Sequence, residues 1–326
     1  MGSEAPAAGL TWPLIEEARA RIAPHIHRTP ILTSATLDAE AGARLYFKCE
    51  NFQKGGAFKT RGATNAVLSL PEAELRRGVA THSSGNHAAA LARAARLRGV
   101  PAYIVMPENT AAAKRAAVER YGATITWCEP TQAARERAAE RVVAETGATL
   151  VHPYNDLRVM AGQASVGLEL IEQVRDLDLL LCPVSGGGLL SGIAVAVRRL
   201  APAVRIVGVE PQGADDAARS LRAGRIVAVE HPATIADGLR ATIGALPFAE
   251  IRRCVDDIVT VPDAAIVSAM RRLFEVMKIV VEPSGAAAYA AVTAARVKLD
   301  GARVGVVVSG GNLDLDSLPW IRPAPG

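Results

Sequence analysis

Short apolar runs recur along this chain, and segments with helical spacing, several of them alanine-rich, alternate with most of them. The runs lie at 45–49, 78–81, 102–106, 124–127, 149–151, 179–184, 204–209 and 304–308. Helical segments are read at 86–98, 110–121, 131–146, 157–174, 189–200, 263–278 and 284–297, after a first helix beginning near Trp12. Strands that are apolar on both faces and separated by helices predict a mostly parallel sheet covered on both sides. No low-complexity linker and no repeat of solenoid period interrupts the pattern. Two domains would therefore have to share or interleave their chain. In such sheets ligands bind beyond the carboxyl ends of the strands, so the loops there hold the chemistry.

Composition excludes several alternatives. Of 326 residues half are hydrophobic and 21% are charged, as in an ordinary globular protein. Net charge is +4, but the basic residues are dispersed, without a basic block or basic-aromatic stripe, which argues against nucleic acid. Cys49, Cys128, Cys182 and Cys254 are widely separated, with no C-x-x-C spacing, and read as buried thiols in a reducing compartment. The N-terminal residues lack a secretory signal and fail the myristoylation pattern at Pro6. No apolar run approaches a membrane span, so the expectation is a cytoplasmic protein with no membrane partner.

One lysine stands out. Lysine occurs only at 48, 54, 59, 114, 278 and 298, against a Lys+Arg total of 37. Lys59 follows Gly55-Gly56 and the apolar pair Ala57-Phe58, where a helix begins. Most lysines in such places are solvated. An amine desolvated by apolar neighbours instead has a lowered pKa and can form a Schiff base.

Two further loops favour the reactive reading. Thr81-His82-Ser83-Ser84-Gly85-Asn86-His87 follows a strand and opens a helix, whose N-terminal amides suit a carboxylate. A simple helix cap explains the glycine and one serine, but two serines with Asn86 and His87 exceed what a cap needs. Pro183-Val184-Ser185-Gly186-Gly187-Gly188-Leu189 is again strand, glycine loop and helix, suited to a phosphate. Glu210 at the end of the next strand invites a dinucleotide reading, but in G-x-G-x-x-G from Gly186 the third glycine falls on Ser191. No Gly-Lys-Ser/Thr follows either, so a monophosphate cradle is the better reading.

Two weaker motifs remain. Ser309-Gly310-Gly311-Asn312 ends the last strand and is by itself a tight turn. Glu210, Ala214 and Asp216 offer two carboxylates and an intervening carbonyl, suited to Mg²⁺ or Ca²⁺ or equally to solvated acids at a helix start. A reactive lysine, a carboxylate site, a phosphate cradle and a polar strand end together match pyridoxal phosphate (PLP).

The chain also resembles the serine/threonine dehydratase and serine racemase group of the fold-type II PLP enzymes. The likeness runs from His27-Arg28-Thr29-Pro30 to Asn312 and includes Phe58-Lys59, Ser83–His87, the glycine loop, 210–216, Ala236-Asp237-Gly238, Glu282-Pro283-Ser284-Gly285 and 309–312. It implies an α/β fold like that of tryptophan synthase β, with two open twisted sheets and helices on both faces. A large PLP-binding domain would comprise 1–77 and 154–326, and a small mobile domain 78–153. Lys59 would carry the Schiff base, beside Phe58, and Asn86 would bond the ring hydroxyl. Ser185, Gly186, Gly187, Gly188 and Leu189 would hold the phosphate, with Ser309 at the pyridine nitrogen. Ser83, Ser84, Asn86, His87 and Arg135 would gather round the substrate carboxylate, with Ser84 a second catalytic residue. Glu210, Ala214 and Asp216 would form the group's divalent-cation site.

The implied activity is α,β-elimination of water from a 3-hydroxy amino acid such as L-threonine or L-serine, giving a 2-oxo acid and ammonia. Serine racemisation, or dehydration of hydroxyaspartate, is the implied alternative, and a homodimer the implied assembly. Three departures matter. Ala88-Ala89 stands where glutamine is usual, which removes a piece of the animal racemases' nucleotide site. Ser185 replaces glycine and brings a hydroxyl to the phosphate loop, and Tyr154 replaces a small polar residue. A C-terminal regulatory domain, and isoleucine feedback with it, is not expected.

Overall fold

The computed structural model describes residues 9–83, 85–110 and 112–320. Among the described residues ten strands fall into two sheets. They are β1 (Ile31–Leu32), β2 (Arg44–Cys49), β3 (Val79–His82), β4 (Ala102–Pro107), β5 (Thr124–Cys128), β6 (Thr149–Leu150), β7 (Leu179–Pro183), β8 (Arg205–Pro211), β9 (Asp257–Val261) and β10 (Arg303–Val308). The larger sheet runs β1-β2-β10-β7-β8-β9 and the smaller β5-β4-β3-β6. All pairings are parallel except β1 with β2.

The apolar runs explain the layering. In β7, Leu179 and Leu181 enter one core while Leu180 and Cys182 enter the other, as the two-residue strand period requires. Helices Leu157–Gln173, Gly188–Leu200 and Ala245–Cys254 cover the first face. Asp263–Met277 and Pro283–Thr293 cover the second. The smaller sheet is covered likewise, by Asn86–Arg98 on one face and Gln132–Thr146 on the other.

Two strands escape the sequence reading. β1 has only two residues, and β9 is a half-buried edge strand in which only Ile258 and Val261 are buried. Neither carries the continuous apolar run that marks a central strand. Helices Ala35–Ala41, Asp216–Ala223 and Ala245–Cys254 were likewise not expected. The last long helix ends at Thr293 rather than near 297, since Ala295 adopts φ +50°. All four cysteines are buried and unpaired. Among the described residues no helix is long and apolar enough to cross a membrane.

The lysine helix, Lys59–Leu68, is fixed by a buried ionic knot. Arg61 is fully buried; its Nε and Nη2 donate to Glu50 at 2.8 Å each, and its Nη1 and Nη2 to Glu169 at 2.7 and 2.8 Å. Lys48 Nζ adds a bond to Glu169 at 2.6 Å. Two cations thus face two carboxylates, and this pairing is what makes their burial tolerable. The lysine helix crosses Leu157–Gln173 where both lack a Cβ, at Gly62 and Gly162; a Cβ on Gly162 would lie 2.6 Å from the Gly62 Cα.

Candidate active site

Sheet order brings the loops together. β10 lies between β2 and β7, so the turns after these three strands are neighbours at one edge. They are the lysine turn, the 309–312 turn and the 185–189 loop. Backbone bonds join the first two: Phe58 N–H donates to Ser309 O at 3.0 Å, Gly311 N–H to Gly56 O at 2.9 Å, and Ala57 bridges Gly310. The smaller sheet contributes the ends of β3 and β6, carrying 83–87 and 151–154.

Lys59 opens its helix, with Phe58 at the cap and its ring centroid 5.1 Å from the amine. Its Nζ donates to the Pro153 carbonyl oxygen at 2.9 Å. Desolvation of the amine brings its pKa down to about 8.

Gly188 begins the helix after β7, and Gly187 precedes it at φ +90°, a conformation that suits glycine. A Cβ on Gly187 would lie 2.7 Å from Pro247 Cβ, and one on Gly188 would lie 3.0 Å from Tyr154. The loop is thus wedged between Pro247 and Tyr154, while the first amides of the helix lack intrahelical acceptors. Leu189, in the first turn, is buried. The Ser185 hydroxyl was expected to be available to phosphate. Instead it donates to Ala241 O at 3.1 Å and accepts from Ala241 N–H at 3.0 Å, so it anchors the loop.

Ser309 is 3% exposed, and its hydroxyl reaches only Ser284 O, at 3.5 Å. Asn86 starts the helix after β3 and donates to Glu282 Oε1 at 2.7 Å. Ser83 Oγ accepts the Gly85 N–H at 3.4 Å. Ser84 lies outside the described residues.

The His87 ring is turned to the backbone. Its Nε2 faces Val151 O at 3.3 Å; a carbonyl only accepts, so Nε2 carries the hydrogen. Nδ1 is then a bare lone pair, buried without a partner. Burial, then the Lys59 charge, hold the ring neutral, with its pKa well below the usual value. What His87 offers a carboxylate is therefore its backbone N–H at the helix start.

Beside these residues His82, His152 and Tyr154 stack edge to face, with centroids 5.4 and 4.5 Å apart. The N–H groups of Tyr154 and Asn155 donate to His152 Nδ1 at 3.3 and 3.0 Å. Burial, then His82 and Lys59, push its pKa down to about 4. Arg135, in Gln132–Thr146, lies close enough that its charge, after burial, lowers the His82 pKa. His152 was not singled out in the sequence, where it is a lone histidine. Its place directly after an apolar strand run was the available signal.

Glu210 and Asp216 face each other further along the edge, at β8. Glu210 accepts N–H bonds from Ala217 and Ala218 at 3.0 and 2.9 Å, and Asp216 accepts that of Ile243 at 2.7 Å. Burial, then the Asp216 charge, raises Glu210; burial raises Asp216, and a hydrogen bond from Glu210 works against it. Each carboxyl thus holds its proton more tightly than a solvated acid would. Ala214 is buried in the intervening turn Gln212–Ala214. Among the described residues no cluster of three or more His, Cys, Asp or Glu side chains could hold a metal.

This edge fits a phosphorylated pyridine aldehyde: a glycine face for phosphate, a desolvated amine for the aldehyde and a lightly bonded hydroxyl for a ring nitrogen. A profile of the family described as "Pyridoxal-phosphate dependent enzyme" matches residues 22–310, and the chain belongs to that family. Serine racemase of Arabidopsis thaliana is 50% identical over 309 residues, covering 93% of each chain. The beta-hydroxyaspartate dehydratase of Paracoccus denitrificans is also 50% identical, over 303 residues, with 93% of this chain and 96% of the relative covered. Maize serine racemase superposes with TM-score 0.92 at 48% identity, with 96% of each chain covered.

Proposed function

We propose that this chain is a dehydratase that removes water from a 3-hydroxy amino acid, L-threonine or L-serine, to give a 2-oxo acid and ammonia. The observation that carries the reading is the Lys59 amine: desolvated, with its pKa lowered to about 8, and hydrogen-bonded to the Pro153 carbonyl. Such an amine is partly neutral at physiological pH, as a Schiff-base nucleophile and proton acceptor must be.

When bound, PLP supplies an electron sink for the bond broken at Cα. Phe58 packs beside the amine, and the amides of Ser185, Gly186, Gly187, Gly188 and Leu189 take the phosphate. Asn86 donates to the ring oxygen. Ser309 would offer the ring nitrogen a neutral hydroxyl, a partner that favours loss of a β-leaving group over transamination. Backbone N–H groups of 83–87, with the Ser83 and Ser84 hydroxyls, hold the substrate carboxylate, and Arg135 adds positive charge. Lys59 Nζ, freed by the substrate amine, takes the Cα proton.

A divalent cation, Mg²⁺ or Ca²⁺, would be held by Glu210 and Asp216, with the Ala214 carbonyl as a third ligand. Residues 78–153 form a small domain that closes on substrate against 1–77 and 154–326. A homodimer fits the exposed Phe274, Val280 and Leu315, which share one apolar surface with Trp320. Buried unpaired thiols suit the cytoplasm.

A second reading, serine racemisation with Ser84 reprotonating Cα opposite Lys59, is favoured by the identity to the Arabidopsis racemase. Hydroxyaspartate as substrate is favoured equally by the Paracoccus relative. A panel of L-threonine, L-serine and 3-hydroxyaspartate with PLP and Mg²⁺ separates them by 2-oxo acid release and D-serine formation. Release from L-threonine or L-serine upholds the dehydratase. Release from hydroxyaspartate alone changes the substrate, and D-serine without 2-oxo acid replaces the reaction.

A further inference from the structure

Asn86 is held from two sides. Its Nδ2 donates to Glu282 Oε1 at 2.7 Å, and its Oδ1 accepts from Asn312 Nδ2 at 2.9 Å. Asn312 Nδ2 also donates to the Gly55 carbonyl oxygen at 2.7 Å. Amide orientation is assigned from such networks, and this one has an unambiguous end. A backbone carbonyl only accepts, so the Asn312 atom facing Gly55 is nitrogen. The second N–H of that nitrogen points at Asn86, whose facing atom is therefore oxygen. The Asn86 nitrogen is thereby turned to Glu282, with one N–H engaged and one left over.

Glu282 alone would not fix this orientation. Burial, then the Asp237 charge, raises its pKa to about 8, so it is largely a neutral acid at physiological pH. A neutral acid can donate to an amide oxygen as readily as it accepts from an amide nitrogen. The backbone leaves room for both partners, since a Cβ on Gly56 would run into Asn312 and one on Gly310 into Glu282. Asn312 stands in the turn bridged to the lysine turn, so the orientation of Asn86 is set by the same loops that set Lys59.

We propose that Asn312 is a positioning residue which, acting through Asn86, presents an N–H and not a carbonyl oxygen to the ring oxygen of the cofactor. The inference rests on the reading of Asn86 given above and adds the device that gives it a polarity. A fixed donor favours the ionised ring oxygen over the neutral one.

The test compares Asn86→Ala, Asn312→Ala, Asn312→Asp and the double variant Asn86→Ala/Asn312→Ala. Cofactor-free protein is titrated with PLP, and the spectrum of the loaded protein is recorded beside a thermal melt. Asn312→Ala is expected to weaken PLP binding about tenfold and to enlarge the near-ultraviolet band of the neutral ring oxygen at the expense of the visible band. Asn312→Asp, which keeps the shape but cannot donate, should do the same. The double variant should be no worse than Asn86→Ala. A wild-type spectrum and affinity in both Asn312 variants, or losses that add in the double variant, overturn the positioning role. An unchanged Asn86→Ala overturns the site reading with it.

Discussion

The Lys59 amine donates to the carbonyl oxygen of Pro153, 94 residues away and 2.9 Å distant. One sheet supplies the nucleophile, and the strand end of the other supplies the group that restrains it. Desolvation by burial lowers its pKa to about 8.

The first prediction concerns the rate at which cofactor-free protein takes up PLP. Neutral amine is the reactive form, so the second-order rate should rise with pH and level off above about 8. Stopped-flow absorbance between pH 6 and pH 10, taken as roughly bracketing that shifted amine, checks it. A rate still climbing tenfold per unit beyond pH 9, about one unit above the shifted value, would mean an ordinary solvated lysine.

Glu282 gives a pH dependence of the same origin, burial, but with its pKa shifted the other way. Its folded pKa, raised to about 8, exceeds the unfolded value near 4.5, so the folded state binds the proton more tightly. The associated stability is complete below 4.5 and is lost as pH rises through 8. Glu282→Gln should therefore flatten the melting temperature of the cofactor-free protein between those limits. The expected difference is of order a few kcal/mol. Parallel melting curves for the two proteins would contradict it.

These two residues mark the limit of what the sequence makes legible. Lys59, the 185–189 loop and Ser309 sit in contiguous motifs at strand ends, where local spacing signals chemistry. Glu282 lies 196 residues from Asn86, and Asn312 lies 226 from it. Such contacts exist only because β10 runs beside β2 and the two sheets meet at one edge. His152 had no motif around it at all. The central strands were readable from apolar runs, whereas β1 and β9 were missed because an edge strand needs no such run. The bonds of the His87 ring and the Ser185 hydroxyl were not legible for a related reason. Their partners, Val151 and Ala241, are backbone groups that no side-chain pattern reveals.

Removing one charge from the ionic knot should be severe. Arg61→Met leaves Glu50 and Glu169 buried against Lys48 alone, and such uncompensated burial costs roughly 3–5 kcal/mol. Urea unfolding of the cofactor-free variant measures it. A loss under about 1 kcal/mol, the range of a surface pair, would show that the knot is not what holds the lysine helix.

Gly187→Ala should loosen the phosphate loop. Its φ of +90° strains any L side chain, and the new Cβ meets Pro247. A strain of about 1–3 kcal/mol is expected, read as weaker PLP binding of about ten- to a hundredfold. Equilibrium titration with PLP checks it, and unchanged affinity would remove this loop from the cofactor site.

The central claim is that Lys59, among six lysines, is the residue that bonds the cofactor. Borohydride reduction of the loaded protein, followed by proteolysis and mass spectrometry, tests it most directly. The reduced pyridoxyl mass is expected on Lys59 and is expected to be lost in Lys59→Ala. Stoichiometric label on Lys48, Lys54, Lys114, Lys278 or Lys298, or none at all, would contradict it.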